Sequence, residues 1–248
     1  HRGGGRASGR ETVARVVGGA IAKMLLATIQ IEVQAAVTRI GNAAMPEDPD
    51  SIISAIKMQP ELSVLQCPVD EVERKMLEQI EMAVVSGDTV GGEIFCVIGG
   101  VPPGWGEPVF DKLQAQLASS MMSIGTAKGF EYGLGFGAAR MSGSQHNDQM
   151  IMKDGRADFI TNNDGGIQGG ISNGQEIYFR VGFKPVPSVK SPQKTVDSQG
   201  SEIEISLSGR HDICHVPRLV VVVEAMAALV LADQWLLAQS SRLDFLRK

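Results

Sequence analysis

Arg6, Ser8 and Arg10 take alternate positions in the opening stretch RGGGRASGRETVARV, two guanidinium groups flanking a hydroxyl just after a run of three glycines. Ser8-Gly9-Arg10-Glu11 has the spacing of a capping box, in which the serine accepts from a first-turn amide and the glutamate three residues on reaches back. Free amides, the positive end of a helix dipole and paired guanidinium donors together suit a phosphate-type anion. A plain helix cap with solvated arginines is the other reading, and no GxxxxGK[ST] phosphate loop occurs in the chain. Near the other end, GRHDICHVPR gathers Arg210, His211, Asp212, Cys214, His215 and Arg218 ahead of an apolar run. His211, Cys214 and His215 are metal-ligand types, but no second cluster completes a zinc pattern. Arg210 with Asp212 would make an acid/base or anion site, and a surface loop with ordinary ion pairs is the third possibility. His1 and His146 stand apart from other chemistry and read as structural or solvated.

Positioning these groups requires ordered elements. From Glu11, apolar residues Val13, Val16, Val17, Ala20, Ile21, Met24 and Leu25 recur at helical spacing, and Gly18-Gly19 permits close approach by another element. TIQIEVQAAV then alternates as a half-buried strand. MPEDPDS reads as a loop; CPVDEVERKMLEQIEMAVVSGD reads as a helix with Pro68 in its first turn and Gly87 at its end. GGEIFCVIGGV reads as a strand, and PPGWGEPVFDKLQAQLASSMM as a turn leading to a helix opened by Pro108, with Val109, Leu113 and Leu117 on one face. Further strands are expected at GFEYGLGFGAARM, QEIYFRVGFKP and SEIEISL, and a last helix from near Pro217. Between Gly143 and Gly174 the chain is rich in Gly, Asn and Asp without a sustained period, the mark of a functional or disordered loop. The class expected is α+β, with helices against antiparallel sheet.

With 43% apolar and 21% charged residues the 248-residue chain can bury a core, and a net charge of -5 argues against a general nucleic-acid surface. Anion recognition must then rest on local arginines and a small ligand. Three separated cysteines, 67, 96 and 214, without CxxC spacing fit reduced thiols in the cytoplasm. Leu219–Leu237 has membrane-spanning length, yet Glu224 and Asp233 inside it favour a buried core helix.

GRASGRETVARVVGGAI, GDTVGG, GVPPGWGEPVFDKL, MMSIGTAKGFE, GSQHND, TNNDGGIQGGISNG, KPVPS and GRHD, in this order over nearly the whole chain, resemble the chorismate synthase family. The resemblance implies a β-α-β sandwich with a helical layer between antiparallel sheets, incomplete here, in a single domain over residues 1–248. It implies a cytoplasmic homotetramer catalysing the anti 1,4-elimination of phosphate from 5-enolpyruvylshikimate 3-phosphate to chorismate, with reduced FMN and with NADPH as a possible reductant. By the same resemblance Arg6, Ala7 and Ser8 contact flavin, and Ser8 with Arg10 meets the anionic substrate. Gly125, Thr126, Gly169, Lys184, Pro185, Val186, Pro187, Ser188 and Arg210 match flavin-binding positions, and Asp212 is the expected proton acceptor or relay beside the flavin ring. Gly125-Thr126 stands where many relatives have Asn or Pro followed by Ala, Ile213 replaces the usual Pro, and Ala7 replaces Ser. The family's GESHG and RPGHAD motifs, which carry two acid histidines, are not in this chain. It therefore resembles the carboxyl-terminal two thirds of a chorismate synthase, expected to be inactive alone. Two readings of another class are a non-catalytic flavin- or anion-binding module and a purely structural assembly domain.

Overall fold

The computed structural model describes residues 8–58, 63–153, 155–206, 209 and 211–241. Arg6, Ala7, Arg210 and His1 lie outside the described residues. A short 3-10 turn, Gly9–Glu11, leads into α1 (Thr12–Ala27), followed by β1 (Glu32–Ile40), β2 (Ala43–Ala44), α2 (Pro49–Met58) and α3 (Asp70–Ser86). Next come β3 (Gly92–Gly99), α4 (Leu113–Met122), β4 (Ala127–Tyr132), a 3-10 turn Gly135–Arg140, α5 (Gly143–His146), β5 (Met150–Lys153) and β6 (Arg156–Phe159). The chain continues through β7 (Ile167–Gln168), β8 (Ile171–Ser172), β9 (Ile177–Phe183), β10 (Gln193–Val196), β11 (Glu202–Ile205) and α6 (Val216–Ser240). The class is α+β. The largest sheet has the order β2-β1-β3-β9-β4, and three hairpins, β5-β6, β7-β8 and β10-β11, form separate antiparallel ribbons.

Two compact units divide the chain. The first takes the segments up to Ala35, Phe95–Val181 and from Val220 onward; the second takes Ala36–Ile94 and Gly182–Leu219. In the first, Phe95 stacks on Tyr178 with ring centroids 5.6 Å apart, Arg180 lies over the Phe95 ring, and Leu26, Leu113, Leu117 and Met121 are fully buried. In the second, Ile40, Ile52, Ile56, Met76 and Ile94 form the core.

Several local expectations change. α1 buries Gly19, Ala22 and Leu26, while Val13, Val17, Ile21 and Met24 of its apolar stripe are exposed. The reason is α6: a Cβ on Gly19 would lie 2.2 Å from the Ala225 Cβ, so the small-residue face meets that helix. MPEDPDS is a loop only as far as Asp48, and α2 begins at Pro49. Asp48 accepts from the Ser51 amide at 3.0 Å and its hydroxyl at 2.6 Å, capping α2, whose Ile52, Ile53 and Ile56 go inward. Pro108 does not open α4; the helix starts at Leu113 after Lys112, and Val109 is exposed with φ 67°. Of the strand expected over GFEYGLGFGAARM, only its first four residues, the end of Ala127–Tyr132, are strand, and Gly135–Arg140 form a 3-10 turn. α6 is a helix long and apolar enough to cross a membrane, with half of its most apolar window buried. Inside it, Glu224 accepts from the Ala35 amide at 2.9 Å and from Lys23 Nζ at 2.7 Å, a paired carboxylate that suits a core position.

Candidate functional site

In the first unit, Ser8 caps the helix start by accepting from the Arg10 amide at 3.4 Å, and Thr12 Oγ1 donates to the Gly9 carbonyl at 2.6 Å. The other half of the expected capping box is different. Glu11 takes the Nε of Arg15 at 3.1 Å instead of reaching back to Ser8. Arg15 then stretches across to Ser123, donating from Nη1 to its hydroxyl at 2.6 Å and from Nη2 to its carbonyl at 3.3 Å. Ser123 stands two residues before Gly125. The helix start that carries Ser8 and Arg10, expected to meet the anionic substrate, and the segment before Gly125 and Thr126, expected to contact flavin, are thus tied by one guanidinium that the spacing of RETVAR did not single out. Arg10 is exposed and has no ion-pair partner among the described residues, so its charge is available to an anion.

Thr126 adopts φ 72°, a left-handed conformation that a β-branched residue takes only under constraint, at a cost of about 1–3 kcal/mol. Gly125 beside it faces open space, with nothing within 4 Å of a built Cβ. Gly169 and Gly170 are the central pair of the β7-β8 hairpin, with φ 63° and 100°. That turn requires positive φ at both positions, which explains both glycines. Gly169 also has an empty surround, whereas a Cβ on Gly170 would strike Lys112. The loop leading to this hairpin hangs on Asp148, whose carboxylate accepts from Thr161 Oγ1 at 2.6 Å, the Asn163 amide at 2.7 Å and the Asp164 amide at 3.0 Å. GSQHND and TNNDGG, read from sequence as one irregular loop, are therefore a clamp and its cargo.

In the second unit, Lys184, Pro185, Val186, Pro187 and Ser188 follow β9. The loop Asp88–Gly92 packs against them. Thr89 Oγ1 donates to the Val186 carbonyl at 2.7 Å, and a Cβ on Gly91 would lie 2.4 Å from the Phe183 carbonyl oxygen and 2.9 Å from the Pro185 nitrogen. Between them, the Val90 amide donates to the Ile213 carbonyl at 2.9 Å. One short loop therefore holds the KPVPS segment and the Asp212 turn together. GDTVGG was legible as a motif, but its role as this bridge was not.

Arg218 Nη1 donates to Asp212 Oδ2 at 2.9 Å, an exposed pair that orients the carboxylate more than it stabilises the fold. His211 Nε2 is buried with no hydrogen-bond partner among the described residues. Burial pushes the His215 imidazole below its ordinary 6.5, against the pull of Asp212 and with a smaller push from Arg218. Burial likewise raises the Cys214 thiol. No group of three or more metal-ligating side chains forms among the described residues, so the His211, Cys214 and His215 option gains no support there.

Comparison with known proteins adds the last finding. The family model described as chorismate synthase matches residues 1–236. The chain is 49% identical over 246 residues to a chorismate synthase of Cytophaga hutchinsonii, covering 98% of this chain and 67% of the relative. It is 48% identical over 239 residues to one of Opitutus terrae, covering 95% and 64%. A solved structure described as the crystal structure of chorismate synthase superimposes with a TM-score of 0.78 at 33% identity, covering 94% of this chain and 65% of that one. The chain spans about two thirds of the length of the relatives it matches.

Proposed function

The chain belongs to the chorismate synthase family, and from that premise we propose that the protein eliminates phosphate from 5-enolpyruvylshikimate 3-phosphate to form chorismate, with reduced FMN as cofactor. The observation that carries this reading is the family match over residues 1–236. A place in aromatic amino acid biosynthesis follows, as do a cytoplasmic homotetramer and NADPH as a possible reductant.

The residues present fit a phosphate-bearing, planar cofactor. In the second unit Lys184 offers an exposed ammonium, Ser188 a hydroxyl and His211 Nε2 a buried ring nitrogen lacking a partner among the described residues; in the first unit, separately, Gly169 offers open backbone. Reduced FMN, when bound, supplies an electron-rich ring that assists C–O cleavage without being consumed. Lys184 and Ser188 would hold its anionic end, with the intervening backbone kept in place by Thr89 and Gly91. Arg10 binds the substrate anion and stabilises charge as the phosphate departs, a task for a cation that does not titrate. Ser8, whose hydroxyl oxygen accepts the Arg10 amide, keeps its hydroxyl proton to donate to that anion. Asp212 takes up the proton lost in the elimination, its carboxylate oriented by Arg218.

Anaerobic assay of the full-length protein with reduced FMN and the phosphorylated substrate tests the proposal, and chorismate should accumulate. No product under those conditions, with FMN bound, would leave the non-catalytic flavin-binding reading. Absence of both product and FMN binding would leave the structural one.

A further inference from the structure

A cavity of 320 Å³ opens in the first unit between β4, the 3-10 turn that follows it, α5 and the Asn163–Asp164 loop. Its walls carry the rings of Phe130, Tyr132 and Phe136, and its polar groups include Glu131, Asp164 and His146. Among the described residues, neither lysine nor arginine lines it. Glu131 has no ion-pair partner among the described residues. Asp164 Oδ2 accepts from Gln168 Nε2 at 3.0 Å, and its Oδ1 stands 3.9 Å from His146 Nδ1. The Asp164 charge reaches across the space: after burial, it is the next cause that raises the Tyr132 phenol above 10.0.

Aromatic faces beside carboxylates that no lysine or arginine neutralises among the described residues attract a cation with an apolar body, because ring quadrupole and carboxylate both favour positive charge while the rings cover the stem. The size falls within the range of small-ligand cavities. The same two carboxylates repel phosphate esters, so this is not a continuation of the anion-binding surface around Arg10. We propose that the cavity binds a small organic monocation, an ammonium or guanidinium group on an aromatic stem, with Glu131 and Asp164 facing the charge and Phe130, Tyr132 and Phe136 covering the ring. The assignment stands on this geometry alone and is independent of the elimination reaction.

Calorimetric titration of the 248-residue chain with 2-phenylethylammonium, 2-phenylethanol and 3-phenylpropionate tests it. The ammonium should bind with a dissociation constant on the order of 1 mM, and the alcohol and carboxylate about tenfold more weakly or not at all. Glu131→Gln and Asp164→Asn should each weaken the ammonium about fivefold or more, and Phe136→Ala should weaken all three ligands. Melting curves check that each variant is folded; the Glu131 side chain makes no hydrogen bond among the described residues, so Glu131→Gln keeps the test valid if Asp164→Asn disturbs its loop. Equal affinity for the three ligands, no ammonium binding at 10 times the expected constant, or binding indifferent to Glu131→Gln would overturn the assignment.

Discussion

Arg15 illustrates how one side chain can tie together two segments far apart in the chain. It is half-buried, paired with Glu11 one turn back, and extends both terminal nitrogens to Ser123 beside the Gly125-Thr126 turn. Arg15→Met should lower unfolding stability by about 1 kcal/mol, measured from denaturant midpoints, since it removes a partly buried pair with Glu11 and exposed charge-assisted bonds to Ser123. Arg15→Lys should recover only part of that, because an ammonium cannot reach both the hydroxyl and the carbonyl in one plane. His215 supplies a pH dependence of opposite origin. Its folded-state pKa is depressed below 6.5 by burial, so the unfolded chain binds the proton more readily. The stability from keeping it neutral is fully present above pH 6.5 and declines as pH falls through the folded-state value. Melting temperature should therefore drop on acidification below 6.5, and His215→Gln should flatten that part of the profile. A profile unchanged by the substitution would mean that other groups set it.

The helices carry their own tests, and two adjacent glycines give the sharpest. A Cβ on Gly19 would fall 2.2 Å from the Ala225 Cβ and 2.4 Å from its Cα, so Gly19→Ala forces α1 away from α6. The cost should be about 1–3 kcal/mol or more, the usual range for overpacking. A Cβ on Gly18 meets only the flexible end of Leu229 at 3.7 Å, ordinary contact. Gly18→Ala should instead stabilise by about 0.5–1 kcal/mol through helix propensity, and paired denaturation curves distinguish the two. At α2, Asp48→Ala removes the cap on Ser51 and should cost about 1 kcal/mol. Gly91→Ala pushes on backbone at 2.4 Å, and in a folded variant it should weaken whatever the KPVPS segment binds more than it lowers the melting temperature.

For the molecule as a whole, we expect the isolated 248-residue chain to form no chorismate: it contains neither GESHG nor RPGHAD, and loss of a general acid typically costs about 100-fold or more. Sustained turnover by this chain would contradict that expectation. Periodicity was enough to define the α+β class and the positions of α1, α3, α6, β1, β3 and β9, because these follow from spacing within a few turns or strand residues, whereas the family came from the resemblance of the quoted motifs. Gly87, for instance, ends α3 at φ 69° as its place after the last apolar turn implies. Other features rest on contacts between segments far apart in the chain. The Val13 and Ile21 face of α1 is as apolar as a core face, but only the Ala225 surface, more than 200 positions away, makes Gly19 the buried one. The same holds for Arg15 meeting Ser123, Thr89 meeting Val186 and Glu224 meeting Ala35. A local pattern records how often a residue type recurs; which copy of it is desolvated, and which donor finds its acceptor, is decided by packing that exists only once the chain has closed on itself.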